Sequence, residues 1–214
     1  MKRIFDLIVI VLALPLWGVV LIIVYLINIV LNGLPGFYKS TRVVSNNSEH
    51  DIYKFRTMKK NIDKTMNRDA MSDVEEAFYN IPITSNAYTK FGLIVEKFGL
   101  TEIPQLIHVF SGIMSIVGSR PLPRNVYTKL IDKDRGLCLN RFLTKPGLTG
   151  LPQLVGRDNL SDIDRLTLES SYSKWVIDNY MWSVDFLILF YTVCIVINVK
   201  KPMTIVGALN LLKR

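Results

Sequence analysis

GLTEIPQLIHVFSGIMSIVGSRP, residues 99–121, sets one acid, Glu102, two residues ahead of a proline and follows it with an apolar run. A Gly-Ser-Arg-Pro turn then places Arg120 where that run ends. Proline is tolerated in the first turn of a helix, so the pattern predicts an apolar helix over 103–113 with Pro104 near its start. An acid and an arginine at opposite ends of a buried segment suit a phosphate or a metal-bound diphosphate. The guanidinium offers a planar fork of donors to phosphate oxygens, and the carboxylate can ligate Mg²⁺ or take part in transfer chemistry. The plainer alternative is a buried helix with a surface acid and a turn arginine.

Upstream, residues 88–100 are amphipathic, and Phe91, Ile94, Val95 and Phe98 recur at helical spacing as expected core positions. Phe37 to Val44 and Asp51 to Met58, with Asn46-Asn47-Ser48 between them, predict a small hairpin. Its second strand carries Lys54 and Arg56 on one face, which either aims two cations at a phosphate or forms a solvated strand face. Residues 59–79 mix acids and bases, as expected of a surface helix or a mobile loop. His108 sits on the apolar run and is expected to be a hydrogen-bonded core histidine.

Downstream, KPGLTGLPQLVGRDN (145–159) combines glycines and prolines in a tight, loop-like path that can turn backbone N–H groups toward a ligand, with Arg157 closing it. Ser161 to Trp175 predicts a capped surface helix. Residues 182–198 are apolar apart from Ser183 and Asp185, yet too short to cross a bilayer comfortably, which fits an interfacial or core-packed helix. Trp175, Trp182 and Tyr191 are candidates for the headgroup level. The basic, apolar tail from Lys200 is expected to lie on the membrane.

The first 36 residues form a unit of their own. From Leu7 to Leu31 there is no charge, and as a helix this run would extend ~37 Å, enough for the hydrocarbon core. Pro15, with Gly18 close by, can break the helical ladder. Lys2 and Arg3 precede the run and Lys39 and Arg42 follow it, so both flanks favour the cytoplasmic side. A re-entrant helix satisfies both flanks and a straight span does not, but a proline kink is also tolerated in true spans, so an ordinary spanning helix stays the alternative. Asp6 at the entry is expected at the headgroups. The organisation expected is a membrane-embedded segment over 1–36, a body over 37–199 and a tail over 200–214.

Composition narrows the function classes. The chain has 214 residues, 50% of them hydrophobic, with a formal net charge of +8. A chain both basic and apolar fits an anionic membrane surface or phosphorylated substrates better than nucleic acid. Cys138 and Cys194 lie far apart without metal spacing, and two histidines leave little material for zinc or a histidine-based triad.

Taken in order, KFRTM (54–58), TEIPQL (101–106), MSIVGSRPL (114–122) and KPGLTGLPQLVGR (145–157) resemble the bacterial sugar transferases, the monotopic phosphoglycosyl transferases. The Pro15-containing apolar segment and the aromatic-apolar C-terminal part extend the resemblance over nearly the whole chain. It implies an α/β fold, helix-rich α+β in its mix of elements. A compact cytoplasmic domain would carry an N-terminal re-entrant helix and interfacial amphipathic helices at a bacterial cytoplasmic membrane. It also implies Mg²⁺-dependent transfer of a sugar-1-phosphate from a UDP-sugar to a polyprenol phosphate such as undecaprenyl phosphate. That step initiates exopolysaccharide, capsule or O-antigen synthesis, and downstream glycosyltransferases would extend the product. In such enzymes an Asp-Glu pair precedes Pro-Gln, and the Asp attacks the β-phosphate in a two-step, covalent reaction.

This chain departs from that pattern. It has Thr101-Glu102 in place of Asp-Glu, Glu96 where an arginine is common, Ser119 in place of a proline and His108 in place of an asparagine. The resemblance therefore leaves Glu102 and Thr101 as candidate catalytic groups, with Glu102 also a metal ligand. It assigns Lys54, Arg56, Gln105, Arg120 and Arg157 to substrate and phosphate binding. The competing expectation is a catalytically impaired paralogue that acts as a membrane-bound partner or regulator.

Overall fold

Lys2–Asn32 form one helix, α1, of 31 residues, in a computed structural model that describes residues 1–60, 62, 81, 84–156 and 160–213. The helix runs through Pro15, where the sequence allowed a break. Ile10 and Trp17 share a face, Pro15 lies on the opposite one, and the Trp17 indole donates to the Ile10 carbonyl at 3.0 Å. Both ends of α1 are tied to the body. Lys2 pairs with Asp185 at 2.7 Å, and Arg3 donates to the Val109 and Phe110 carbonyls at 2.5 and 2.7 Å. Asp6, expected among headgroups, is instead buried and accepts from the Ser115 hydroxyl at 2.9 Å and the Ile116 N–H at 3.0 Å. At the far end the Asn28 amide donates to the carbonyls of Gly36 and Arg56 at 2.9 and 3.0 Å. Between these anchors Val11, Leu12, Leu14, Leu16, Val19, Ile22 and Ile23 are exposed.

The expected hairpin forms from β1 (Phe37–Ser45) and β2 (Ser48–Phe55), antiparallel from Phe37↔Phe55 to Ser45↔Ser48. Stacking of Phe37 between Tyr25 and Phe55, with centroids 4.5 and 5.6 Å apart, seats it against α1. Next come α2 (Lys90–Lys97), a 3-10 helix (Leu100–Gln105) and α3 (Leu106–Ser111). The single apolar helix expected over 103–113 is thus split, because Pro104 lies inside the tighter 3-10 turn. On α2 the Val95 side chain is buried, whereas Ile94 and Phe98 are 51% and 63% exposed, so only part of the apolar stripe faces the core.

β3 (Ser115–Val117) runs parallel to β4 (Gly147–Thr149) as a second two-stranded sheet. Here the glycine-rich stretch departs from expectation. Gly147 donates its N–H to the Ser119 carbonyl, and the Gly118 N–H goes to the Thr149 carbonyl, both at 2.8 Å. A side chain on Gly147 would run into the Gly118 backbone, so the glycines bring two backbones together instead of opening a nest for an anion.

The remaining helices are α4 (Arg124–Lys133), α5 (Arg135–Asn140), α6 (Leu151–Val155), α7 (Asp162–Asn179), α8 (Trp182–Val196) and α9 (Ile205–Asn210), with a 3-10 turn at Arg141–Leu143. Ser161 caps α7 by accepting the Asp164 N–H at 3.1 Å, as expected. The helix is no surface element, however: Leu166, Leu168, Tyr172 and Trp175 are buried along with Arg165 and Glu169. α8 buries Val184, Ile188 and Cys194 and exposes Trp182, Phe186, Phe190 and Val193. The C-terminal segment places Ala208 and Leu211 in the main core with Leu151, Leu154 and Ile188. The architecture is a helix-rich α+β fold with two small sheets and one long apolar N-terminal helix.

Replacing Gly147 by Ala should lower stability by about 2 kcal/mol, the usual cost of overpacking. Thermal unfolding of the detergent-solubilised protein measures it, and an unchanged melting curve would contradict the close approach of β3 and β4.

Candidate active site

The 3-10 helix Leu100–Gln105 starts at Gly99, whose φ of +65° lies in the left-handed region that glycine adopts freely. That turn directs Glu102 toward the end of β3. One Arg120 nitrogen (Nη2) donates to Glu102 Oε1 at 2.6 Å, and Lys54, near the end of β2, brings its ammonium to 3.6 Å from the same oxygen. All three side chains are about one-fifth exposed, enough for a ligand to reach them. Residues 54, 102 and 120 therefore meet at one place although three separate elements carry them.

Around this centre are further polar groups. Glu96, on α2, accepts the Thr57 hydroxyl at 3.0 Å. Thr101 Oγ1 and Gln105 Nε2 are buried on the same 3-10 helix as Glu102, and neither has a hydrogen-bond partner among the described residues. Burial works to lower the Arg120 pKa, but the charges of Glu102, Glu169 and Glu96 outweigh it, and the guanidinium is held above its ordinary value.

A divalent cation can be tested against this donor set. Among the described residues no three His, Cys, Asp or Glu side chains gather to hold a metal ion. Mg²⁺ ordinarily needs only one or two carboxylates when substrate phosphates complete its shell. Glu102 fits as the single protein carboxylate for a metal that arrives on a diphosphate. The described charges close by balance, Lys54, Arg120 and Arg141 against Glu96, Glu102 and Glu169.

Other expected site residues lie differently. Arg56 follows the last residue of β2, and its guanidinium turns back to the Asn32 and Gly33 carbonyls at 2.6 Å, where it closes the end of α1. Arg157 lies outside the described residues, as do most of 59–79. His108 is a hydrogen-bonded core residue as expected: its Nε2 accepts the Tyr53 N–H at 3.2 Å, and its ring stacks on Tyr53. Arg141 and Glu169, both buried beside Arg120, were not singled out from the sequence. Nothing local marks them, since a charge within a helix usually reads as a solvated face.

A family model described as bacterial sugar transferase matches residues 1–199. The chain belongs to that family. Among its relatives is an uncharacterized sugar transferase, EpsL, of Bacillus subtilis, 30% identical over 90% of this chain and 85% of its own length. The exopolysaccharide production protein ExoY of Sinorhizobium fredii is also 30% identical, over 90% of this chain and 83% of its own. The undecaprenyl-phosphate galactose phosphotransferase of Salmonella typhimurium is 28% identical over 92% of this chain, which spans only 40% of that longer protein. Thr101 and Glu96 stand at the positions where the resemblance implies an aspartate and an arginine.

Two measurements test this geometry. Lys54→Met should weaken binding of a nucleoside diphosphate on the order of ten-fold with little change in stability, by loss of one phosphate-facing charge. Arg56→Met should instead lower stability by about 2 kcal/mol, through hydrogen bonds from a charged donor. The reverse pattern, read by calorimetry and thermal unfolding, would place the phosphate on the wrong cation. The second concerns pH. Burial, with the charge of His50, holds His108 below its ordinary pKa of 6.5, and only the neutral ring can accept the Tyr53 N–H. The contribution is complete above 6.5 and is lost as pH falls from there through the lower folded value. Stability should therefore decline on acidification below 6.5, and His108→Gln should flatten that part of the profile.

Proposed function

We propose that this protein transfers a sugar-1-phosphate from a UDP-sugar to undecaprenyl phosphate at the cytoplasmic face of a bacterial inner membrane, opening the assembly of a surface polysaccharide. The observation that carries the reading is the meeting of Glu102, Arg120 and Lys54 at one accessible point. The names of the relatives suggest the substrate class, a sugar phosphate and an undecaprenyl phosphate acceptor.

Arg120 and Lys54 bind and orient the diphosphate, and the unpartnered Gln105 amide and Thr101 hydroxyl donate to its oxygens. A Glu102 oxygen attacks the β-phosphorus. The bond between that phosphorus and the bridging oxygen breaks, and UMP leaves with the oxygen. A phosphate oxygen of the lipid then attacks the same phosphorus, which yields the lipid diphosphosugar and restores the carboxylate. Mg²⁺, when bound with the diphosphate, would neutralise charge on its oxygens.

The membrane reading rests on α1 and on its neighbours. A helix anchored to one body at both ends, with its middle apolar and exposed, fits immersion in a single leaflet better than passage across the bilayer. Exposed Phe98 on the α2 side and Phe186, Phe190 and Val193 on α8 extend the apolar surface, and the Gly99 backbone abuts Val196 where the two regions join. Trp182, 64% exposed, suits the headgroup level.

A second reading is favoured by Thr101, whose hydroxyl has no base to take its proton among the described residues. It makes the chain a binding-competent but impaired family member that partners or regulates an active enzyme.

Incubation with a panel of UDP-sugars, undecaprenyl phosphate and Mg²⁺ should release UMP, and intact-mass mapping should find a phosphosugar adduct on Glu102. Glu102→Gln should abolish both signals. Absence of UMP release from every UDP-sugar, together with turnover gained by Thr101→Asp, would instead establish the impaired form.

A further inference from the structure

We propose that Glu169 and Arg141 are positioning residues for Arg120, clamping its backbone so that its guanidinium is delivered to the diphosphate; the inference deepens the functional reading above and rests on it. Arg120 sits in a turn after β3, where no strand partner fixes it. Its backbone N–H instead goes to Glu169 Oε1 at 3.1 Å, and its carbonyl accepts Arg141 Nη2 at 2.6 Å. Glu169 Oε2 then accepts Arg141 Nε at 2.8 Å. Donor, acceptor, carboxylate and guanidinium thus form a closed ring of hydrogen bonds about one peptide segment.

The ring is built from rigid parts. Glu169 and Arg141 are each 1% exposed. Glu169 stands on the buried face of α7, and Arg141 opens the 3-10 turn after α5. The Arg141 carbonyl is itself held by the hydroxyls of Ser119 and Ser173, both at 3.2 Å. With the backbone held on both sides of its Cα, the Arg120 side chain has only its own rotamers left to lose when it meets Glu102 or a phosphate.

Stability alone is a poor explanation of such a pair. Removing two charges from water costs several kcal/mol each, and apolar replacements of similar volume are often as stable or more so. Holding a phosphate-binding arginine in register is a use that an apolar pair cannot serve. The ring also leaves Arg120 N–H and C=O satisfied inside the protein, so neither competes for the ligand.

The test is a double-mutant cycle read by calorimetry, with UDP in the presence of Mg²⁺ as the probe and thermal unfolding in parallel. Glu169→Gln places an amide N–H₂ where Arg120 N–H or Arg141 Nε–H needs an acceptor. It should weaken UDP binding about ten-fold, and it should have no further effect in an Arg120→Ala background. If the pair serves only the fold, Glu169→Gln lowers the melting temperature and leaves UDP affinity unchanged, which overturns the proposal. Additive losses in the cycle overturn it as well. Should Glu169→Gln fail to fold, Arg141→Lys provides the same arm, because an ammonium cannot reach Glu169 and the Arg120 carbonyl in the fork geometry. Non-additive UDP binding without sugar transfer would uphold the positioning role and remove the transferase reading. Failure of the unmodified protein to bind UDP would remove both.

Discussion

The 2.6 Å contact between Arg120 and Glu102 is the constraint about which the site is organised. It links the turn after β3 to the 3-10 helix that packs on β2, and so holds Lys54 in the same place. The partners are 21% and 20% exposed, so solvent screens the pair and its direct contribution to stability is modest. Its chemical value lies in exchange. A phosphate that displaces the carboxylate from Arg120 replaces one anion with another, and the guanidinium is never left bare. In the proposed transfer the same exchange would release the Glu102 oxygen for reaction at the bound phosphorus. A resting ion pair of this kind keeps both groups charged and oriented without committing either.

The membrane segment obeys a complementary logic. Its polar side chains are gathered at its two ends: Lys2, Arg3 and Asp6 contact α3, β3 and α8, while Asn28 and Asn32 meet the Gly36 region. The intervening turns carry only apolar groups to the outside, as hydrocarbon requires. Tyr172 reinforces the first anchor by donating to Asp185 at 2.6 Å while accepting from Lys2 at 2.8 Å. The second anchor includes Arg56, whose Nη2 donates to the Asn32 and Gly33 carbonyls, while its Nε and Nη1 are buried without a partner among the described residues. The membrane helix and the candidate site thus share one segment, Lys54 facing Glu102 and Arg56 the helix end.

Much of this was legible in the sequence, for physical reasons that also explain the misses. The alternation around Asn46-Asn47 located the hairpin, although β2 begins at Ser48 because the Ser45 and Ser48 hydroxyls close the turn at 2.6 Å. Period 3.6 revealed α2 but could not tell which apolar face meets protein and which is exposed, so Ile94 and Phe98 were assigned inward. Glu102, Lys54 and Arg120 were legible because each sits beside proline, glycine or a strand end that fixes its direction. Glu169 and Arg141 were not, since their meaning lies in a pairing across 28 residues that no local pattern encodes. The glycines of 147–150 misled in an informative way: lack of bulk can admit a ligand or another backbone, and composition does not distinguish them.

Two of the four departures from the pattern that the resemblance implies, at positions 96 and 101, act on the same electrostatic balance. Glu96 in place of an arginine moves the local charge by two units toward negative, and Thr101 in place of an aspartate returns one. The Glu96 carboxylate is not stray, for Thr57 donates to it at 3.0 Å and its charge helps to keep Arg120 protonated. Against the pattern that the resemblance implies, one guanidinium and the carboxylate preceding Glu102 are replaced. Among the described residues, Lys54 and Arg120 are the cations that meet Glu102. Arg120 donates to Glu102 at 2.6 Å while the Lys54 ammonium stays at 3.6 Å, so the direct hydrogen bond depends on how the guanidinium is placed. That dependence is the physical reason for a clamp on the Arg120 backbone to persist in the interior, where two buried charges would otherwise be hard to justify.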